Sequence, residues 1–115
     1  MQVRRAFRFE AAHRLPDHPG KCRRPHGHSY RLVVAVDRPI DPSSGLAIDF
    51  GELKAVVREA IVQDVDHRDL NDIMDNPTAE NLAVWAWNRL TRVLPGLVEI
   101  ELHETENCSV VYRGE

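Results

Sequence analysis

Three histidines form the first pattern in this 115-residue sequence that could support chemistry. His26 and His28 flank Gly27, and His13 lies upstream in a segment of alternating residues. Residues two apart in a strand project from the same face, about 7 Å apart along the chain, so two imidazoles at that spacing can bind one ion. Three histidines with no obvious fourth ligand are typical of catalytic zinc sites, which keep one position open. The sequence predicts Zn²⁺ bound by His13, His26 and His28, although a strand histidine taken alone is usually just hydrogen-bonded or exposed.

A cysteine close to these histidines is the second candidate. Cys22 lies in residues 16–25, where three prolines and a glycine predict a loop, and Lys21, Arg23 and Arg24 flank it. Positive neighbours and a nearby metal favour the thiolate, so Cys22 can accept a proton. The alternative is an incidental loop cysteine. Cys108 is predicted to be a packing residue, and a reducing compartment would keep both as thiols.

Two strands must position the histidines. Residues 7–13 alternate between apolar and polar, which places His13 on the apolar face. The alternation resumes over residues 26–36 and places His26 and His28 on one face. If the two strands pair as an antiparallel hairpin, His13 comes alongside the other two histidines.

Two helices and two further strands are predicted downstream. Asp49 followed by Glu52 resembles a capping box, and Thr78 is a candidate cap for the second helix. Residues 98–104 alternate again, and residues 108–113 predict a last short strand. The expected fold class is α+β: a four-stranded antiparallel sheet with two helices on one face, in the order ββααββ. We expect one domain, and the uncovered sheet face predicts oligomerisation.

The composition excludes several classes of protein. The formal charge is −3, and acids and bases are mixed along the chain, so no basic footprint for nucleic acid is visible. No stretch approaches the length of a membrane span, and the N-terminal residues have no apolar signal core. We therefore expect a cytoplasmic protein without nucleic acid or membrane partners.

Several motifs together resemble a known family. They are Phe9-Glu-Ala-Ala-His13-Arg-Leu, Cys22-x-x-x-His26-Gly-His28-Ser-Tyr30, Asp49-Phe50, Asp66-His67-x-x-Leu70-Asn71, Pro77-Thr78-x-Glu80 and Glu104-Thr105. In this order they resemble the 6-pyruvoyl-tetrahydropterin synthase family over nearly the whole chain. Three residues between Cys22 and His26, and the closing residues 112–115, resemble its bacterial 6-carboxy-tetrahydropterin synthases of the queuosine pathway. The pyruvoyl-forming members typically have a longer spacer.

The resemblance implies an activity and an assembly. The implied lyase reaction converts 7,8-dihydroneopterin triphosphate and water to 6-carboxy-5,6,7,8-tetrahydropterin, acetaldehyde and triphosphate, with zinc and no organic cofactor. The implied assembly is a tunnelling fold (T-fold), in which protomers join their sheets into a barrel, often as a hexamer of two stacked trimers with active sites between protomers. The alternatives are the pyruvoyl-forming reaction on the same substrate and a non-catalytic, zinc-stabilised pterin-binding module.

The resemblance also implies roles for individual residues. Asp66 and His67 would help Cys22 to transfer protons, and Glu104 would bind the guanidine-like edge of the pterin. Thr105, Thr78, Lys21 and Arg23 would contact the substrate, the two basic residues through its triphosphate.

The residues alone leave other interpretations of these positions open. Asp66 and His67 read as part of a polar loop, with side chains that would diverge. Glu104 shares the buried parity of its strand and so needs partners, which a strand-end salt bridge could supply. Thr78 is explained first as a helix cap.

Overall fold

A long antiparallel hairpin forms the centre of the sheet. The computed structural model describes all 115 residues. Strand β1 (Gln2–His13) pairs with β2 (His26–Asp37) along its whole length, from Gln2 opposite Asp37 to His13 opposite His26. The hairpin predicted from the alternation is therefore confirmed, and its connecting loop lies beside the three histidines.

The four predicted antiparallel strands are present, but a fifth, parallel strand that was not predicted makes the sheet five-stranded and mixed. Its order is β3-β1-β2-β4-β5, with β4 at Leu97–His103 and β5 at Ser109–Tyr112. The additional strand, β3 (Arg68–Asp69), pairs parallel to Ala11 and Ala12 of β1. A strand of two residues is too short to show an alternation of apolar and polar residues, so the sequence pattern could not predict β3.

Both predicted helices are present. The first is α-helical over Phe50–Val57, widens into a π-helical segment at Arg58–Val62 and closes with Gln63–Val65. The second spans Ala79–Leu90, and 3₁₀ turns occupy Lys21–Arg23 and Leu70–Asp72. No helix has the length and apolar character needed to cross a membrane.

The helices cover one face of the sheet, as the sequence predicted. On that face, Tyr30, Leu32 and Val34 of β2 pack with Ile100 and Leu102 of β4 in a continuous apolar core. The opposite face carries charged side chains of β1, β2 and β4 and has no covering layer in one chain. This arrangement leaves the histidine end of the hairpin at the rim of the core.

A side-chain cap begins the second helix and provides a stability test. The hydroxyl of Thr78 accepts the backbone N–H of Asn81 at 3.1 Å. Because N-cap substitutions by alanine remove a partner from an end N–H group, we expect Thr78→Ala to lower the free energy of unfolding by about 1 kcal/mol in urea denaturation. Thr91→Ala, at the other end of the same helix, is the matched control. Equal losses in the two variants would contradict the capping role.

Candidate active site

The three predicted metal ligands come together in the structure. His13 ends β1 and lies opposite His26 at the start of β2, and His28 follows two residues later on the same face. Their ligand atoms all lie within 4.8 Å of one another, and the ring centroids are 4.6 to 5.0 Å apart. The paired strands thus form the cluster that the spacing predicted.

Hydrogen bonds orient two of these rings. Nδ1 of His13 donates to the carbonyl oxygen of Pro77 at 2.8 Å, and Nδ1 of His26 donates to that of Arg24 at 2.7 Å. A carbonyl oxygen can only accept, so in the neutral imidazoles the Nε2 atoms carry lone pairs. Those two Nε2 atoms are 3.0 Å apart. Two facing lone pairs need a positive charge between them.

The third ring makes a metal ion a better fit than a shared proton. Nε2 of His28 is buried and has no hydrogen-bond partner. Burial lowers the pKa of His28, and this effect outweighs that of the Glu104 carboxylate, which raises it. The lowered pKa favours the neutral imidazole, which is the form that binds metal. Zinc at ordinary tetrahedral geometry places its ligand nitrogens about 3.3 Å apart. The donor set therefore fits a divalent ion such as zinc.

Glu104 borders the histidine cluster without joining it. Its carboxylate oxygens lie 3.5 Å from Nε2 of His28 and 3.9 Å from Nε2 of His13. Its side chain is 28% exposed, which is enough for a ligand to reach it. Glu104 follows the last residue of β4 and is only partly buried, and the nearest basic groups to its carboxylate are the histidines.

Cys22, Thr78 and Glu104 line one cleft of about 360 Å³. The half-buried Cys22 lies in the turn Lys21–Arg23, where its carbonyl oxygen accepts the N–H of Leu15 at 2.8 Å. Cys108 also lines this cleft and is exposed, so its prediction as a packing residue was wrong. It precedes the first residue of β5 and does not follow the alternation of that strand.

Asp66 and His67 touch each other, contrary to the expectation that they diverge. His67 has a φ of 58°, a left-handed conformation that turns the ring back, so Nδ1 lies 3.1 Å from Oδ1 of Asp66. The backbone N–H of Glu10, 2.9 Å from the same oxygen, contributes most to lowering the pKa of Asp66, and His67 adds to it. Asp66 is thus held as a carboxylate that orients the imidazole.

Within one chain this pair lies away from Cys22. His67 lines a second cleft, of about 550 Å³, together with β3 and the ends of β1 and β2. His28 lines that cleft too, whereas Cys22 and Glu104 do not. The structure therefore places Cys22 and His67 in different clefts of one chain.

The remaining predicted contacts are dispersed. Lys21 and Arg23 are exposed on their turn, and neither lines the cleft of Cys22. Thr105 is exposed and lines a third cleft, on the open face of the sheet. Glu104 and Thr105 both lie in the bend that follows β4, and Thr105 does not line the cleft of Glu104.

The carbonyl groups of Pro77 and Arg24 had no counterpart in the sequence prediction. They orient His13 and His26 from the outer shell of the site, a role that commonly contributes to metal affinity. Every residue has a carbonyl oxygen, so this orienting role could not be predicted from the type of residue at either position. The motif Pro77-Thr78 marked the segment, but only as the start of a helix.

Comparison with known proteins establishes the family. A sequence model described as 6-pyruvoyl tetrahydropterin synthase matches residues 2–115. The chain belongs to this family. Its structure superposes on that of 6-pyruvoyl tetrahydropterin synthase from Caenorhabditis elegans with a TM-score of 0.91 at 28% identity, covering 100% of this chain and 96% of the other.

Relatives in this pterin synthase family carry different names at similar identity. The chain is 41% identical to the 6-pyruvoyl tetrahydrobiopterin synthase of Homo sapiens, over 99% of this chain and 92% of the human protein. It is 42% identical to the 6-carboxy-5,6,7,8-tetrahydropterin synthase of Synechocystis, over 96% and 91%. The dihydroneopterin monophosphate aldolase of Pyrococcus furiosus is 41% identical, over 88% and 86%. Identity alone does not separate the reactions.

Alignment length does distinguish two of these relatives. The alignment with the human protein extends over 135 positions, although this chain has 115 residues, so the human protein contains inserted segments. The alignment with the Synechocystis protein extends over only 117 positions. In length, this chain matches the carboxy-forming family member more closely.

Proposed function

We propose that this chain is a zinc-dependent 6-carboxy-5,6,7,8-tetrahydropterin synthase. It would convert 7,8-dihydroneopterin triphosphate and water to 6-carboxy-5,6,7,8-tetrahydropterin, acetaldehyde and triphosphate, a step of queuosine (7-deazapurine) biosynthesis. The observation that carries the proposal is the convergence of three imidazoles beside Glu104, next to a cleft that also contains Cys22. The short spacer from Cys22 to His26 and the 117-position alignment favour the carboxy-forming reaction.

The histidine cluster would hold the metal. His13, His26 and His28 would be its ligands, with Pro77 and Arg24 fixing the orientation of two rings. When bound, zinc supplies Lewis-acid polarisation to hydroxyl groups of the substrate side chain. Three imidazole ligands would leave one position of a four-coordinate zinc for water or substrate.

Glu104 and Cys22 would act directly on the substrate. The carboxylate of Glu104 can accept two parallel N–H groups from the guanidine-like edge of a pterin, a bidentate arrangement that fixes the ring. Cys22 lines the same cleft, where its thiol can take or return a proton. Thr78 lies on the cleft wall, and we assign Thr105, Lys21 and Arg23 to outer substrate contacts, the basic pair to the triphosphate.

His67 would reach this site from a neighbouring protomer. Asp66 accepts from Nδ1 of His67, which leaves Nε2 free to exchange a proton. Since His67 and Cys22 line different clefts of one chain, a second copy can bring them together.

The edges of the sheet support such an assembly. Strand β3 pairs only with Ala11 and Ala12, so most of the outer edge of β1 keeps unpaired backbone groups, and β5 forms the other edge. Joining these edges between copies would satisfy the groups and close a barrel. We propose a homo-oligomer of this kind, a hexamer of two stacked trimers.

Product analysis tests the proposed reaction. The zinc-loaded protein, incubated with 7,8-dihydroneopterin triphosphate, is expected to release acetaldehyde and a carboxy-pterin, detected by mass spectrometry and an aldehyde trap. A pyruvoyl-pterin without acetaldehyde would instead support the alternative, pyruvoyl-forming reaction, after which the human relative is named. Substrate binding without turnover would indicate the non-catalytic pterin-binding module and would overturn the enzymatic proposal.

A further inference from the structure

Three basic side chains form a row across the open face of the sheet. Arg8 of β1 is paired opposite Arg31 of β2, and Arg31 is paired opposite His103 of β4. Arg8 lies between Phe7 and Phe9, whose side chains are buried on the helix-covered face. Because alternate residues of a strand point to opposite faces, the row projects away from the core and from the metal cluster.

The two arginines of this row lack acidic partners. Elsewhere on the same face, Arg4 and Arg113 both bind Glu99, at 2.7 and 2.9 Å. Neither Arg8 nor Arg31 forms such an ion pair. Cβ atoms of directly opposed residues lie about 5 Å apart, and like charges at such positions destabilise a sheet. Glu10 and Glu101 lie nearby on the same face, but neither forms an ion pair with these two guanidinium groups, which stand side by side.

The third member of the row is also unsatisfied. Nε2 of His103 is buried without a hydrogen-bond partner, although Oε1 of Glu101 lies 3.4 Å away. Ser109, opposite His103 on β5, donates its hydroxyl to the other oxygen of Glu101 at 3.2 Å. His103 thus borders the row with its Nε2 enclosed beside Glu101, and the two arginines carry the charge that a ligand would meet.

A cleft of about 560 Å³ lies over the row. Its lining is entirely polar or charged and consists of Arg8, Ser29, Arg31, His103, Thr105 and Glu106. Guanidinium groups donate in a planar fork that matches phosphate oxygens. The hydroxyl of Ser29 already donates to Glu10 at 2.6 Å, so Thr105 is the hydroxyl of the lining that can donate to an anion. Glu106 is the one acidic residue of this lining.

We propose that this row is a binding site for phosphoryl oxyanions, separate from the metal cluster and from the exposed pair Lys21 and Arg23. The anion neutralises the two opposed guanidinium groups and occupies the polar cleft between β1, β2 and β4. The inference rests on strand register and charge and does not depend on the reaction proposed above.

Titration with inorganic phosphate tests the site directly. The zinc-loaded protein is titrated at constant ionic strength in chloride, and binding is followed by ³¹P NMR and thermal unfolding while zinc content is monitored. Arg31→Gln and Arg8→Gln are each expected to weaken phosphate binding by about tenfold or more, since a charge-assisted contact is lost. Glu106→Gln is expected to tighten it, because repulsion is removed.

Arg92→Gln, an exposed position at the end of the second helix, is the matched control and should bind phosphate like the wild type. Wild-type binding no stronger than that of chloride, or equal binding by Arg31→Gln, would overturn the proposal. The source of the anion follows from kinetics with the pterin triphosphate. A raised KM with unchanged kcat in Arg31→Gln assigns the site to the substrate tail, and unchanged kinetics with weakened phosphate binding assigns it to the free anion.

Discussion

Replacing His26 with alanine is expected to weaken zinc binding by more than about 100-fold, since even outer-shell partners of metal ligands contribute about 10- to 100-fold. Nε2 of His26 faces that of His13 at 3.0 Å, so the variant removes one of the two lone pairs that a cation would bridge. His26 is only partly buried, whereas His13 is 1% exposed, so His26→Ala should disturb packing less than His13→Ala. Zinc content after dialysis against a weak chelator measures the effect.

Thermal unfolding gives a second measure of the same prediction. A metal that binds only the folded state stabilises it, so EDTA should lower the Tm of the wild type and leave that of His26→Ala unchanged. His18→Ala is the matched control, because His18 accepts the N–H of Gly20 and lies outside the cluster. Full zinc occupancy in His26→Ala would contradict the assignment of this ligand.

Replacing Cys22 with alanine is expected to lower kcat by about 10²- to 10⁴-fold, the range for loss of a general acid or base, while zinc stays bound. Cys108→Ala is the matched control, since Cys108 is a second free thiol lining the same cleft. Single-turnover kinetics and metal analysis on both variants measure the effect. Zinc loss in Cys22→Ala would show that the thiol is a metal ligand and not a proton carrier.

Hybrid oligomers test whether the site is shared between protomers. Cys22 and His67 line different clefts of one chain, yet both are proposed to transfer protons in one reaction. His67→Ala alone should therefore lose as much activity as Cys22→Ala. If each site combines residues of two copies, co-expression of the two inactive variants should restore about a quarter of wild-type activity, the statistical share of intact interfaces. Co-purified hybrids that stay inactive would contradict a shared site.

Strand periodicity made much of the candidate site predictable. Alternation over β1 and β2 placed His13, His26 and His28 on one face, and antiparallel pairing then brought them together. The helix caps at Asp49 and Thr78 were equally predictable from sequence, because a cap is a contact between residues no more than four apart. These features depend on near neighbours in the chain.

Contacts between distant segments were not predictable in the same way. Strand β3 pairs with β1 next to a hydrogen bond from the N–H of His67 to the carbonyl of Glu10, a contact across more than fifty residues. The left-handed backbone of His67, which turns its ring onto Asp66, is a non-glycine exception that residue type does not indicate. The exposure of Cys108 likewise depends on where β5 begins.

The amino-acid sequence by itself determined the family motifs, the two helices, the long hairpin and the face on which the histidines lie, because periodicity and capping are local properties of the chain. Only the tertiary structure decided which carbonyl groups orient His13 and His26, which cleft contains Cys22 and which contains His67, and that Arg8 and Arg31 stand opposed. Those features arise from strand register and long-range hydrogen bonds, which are set when separate segments pack together.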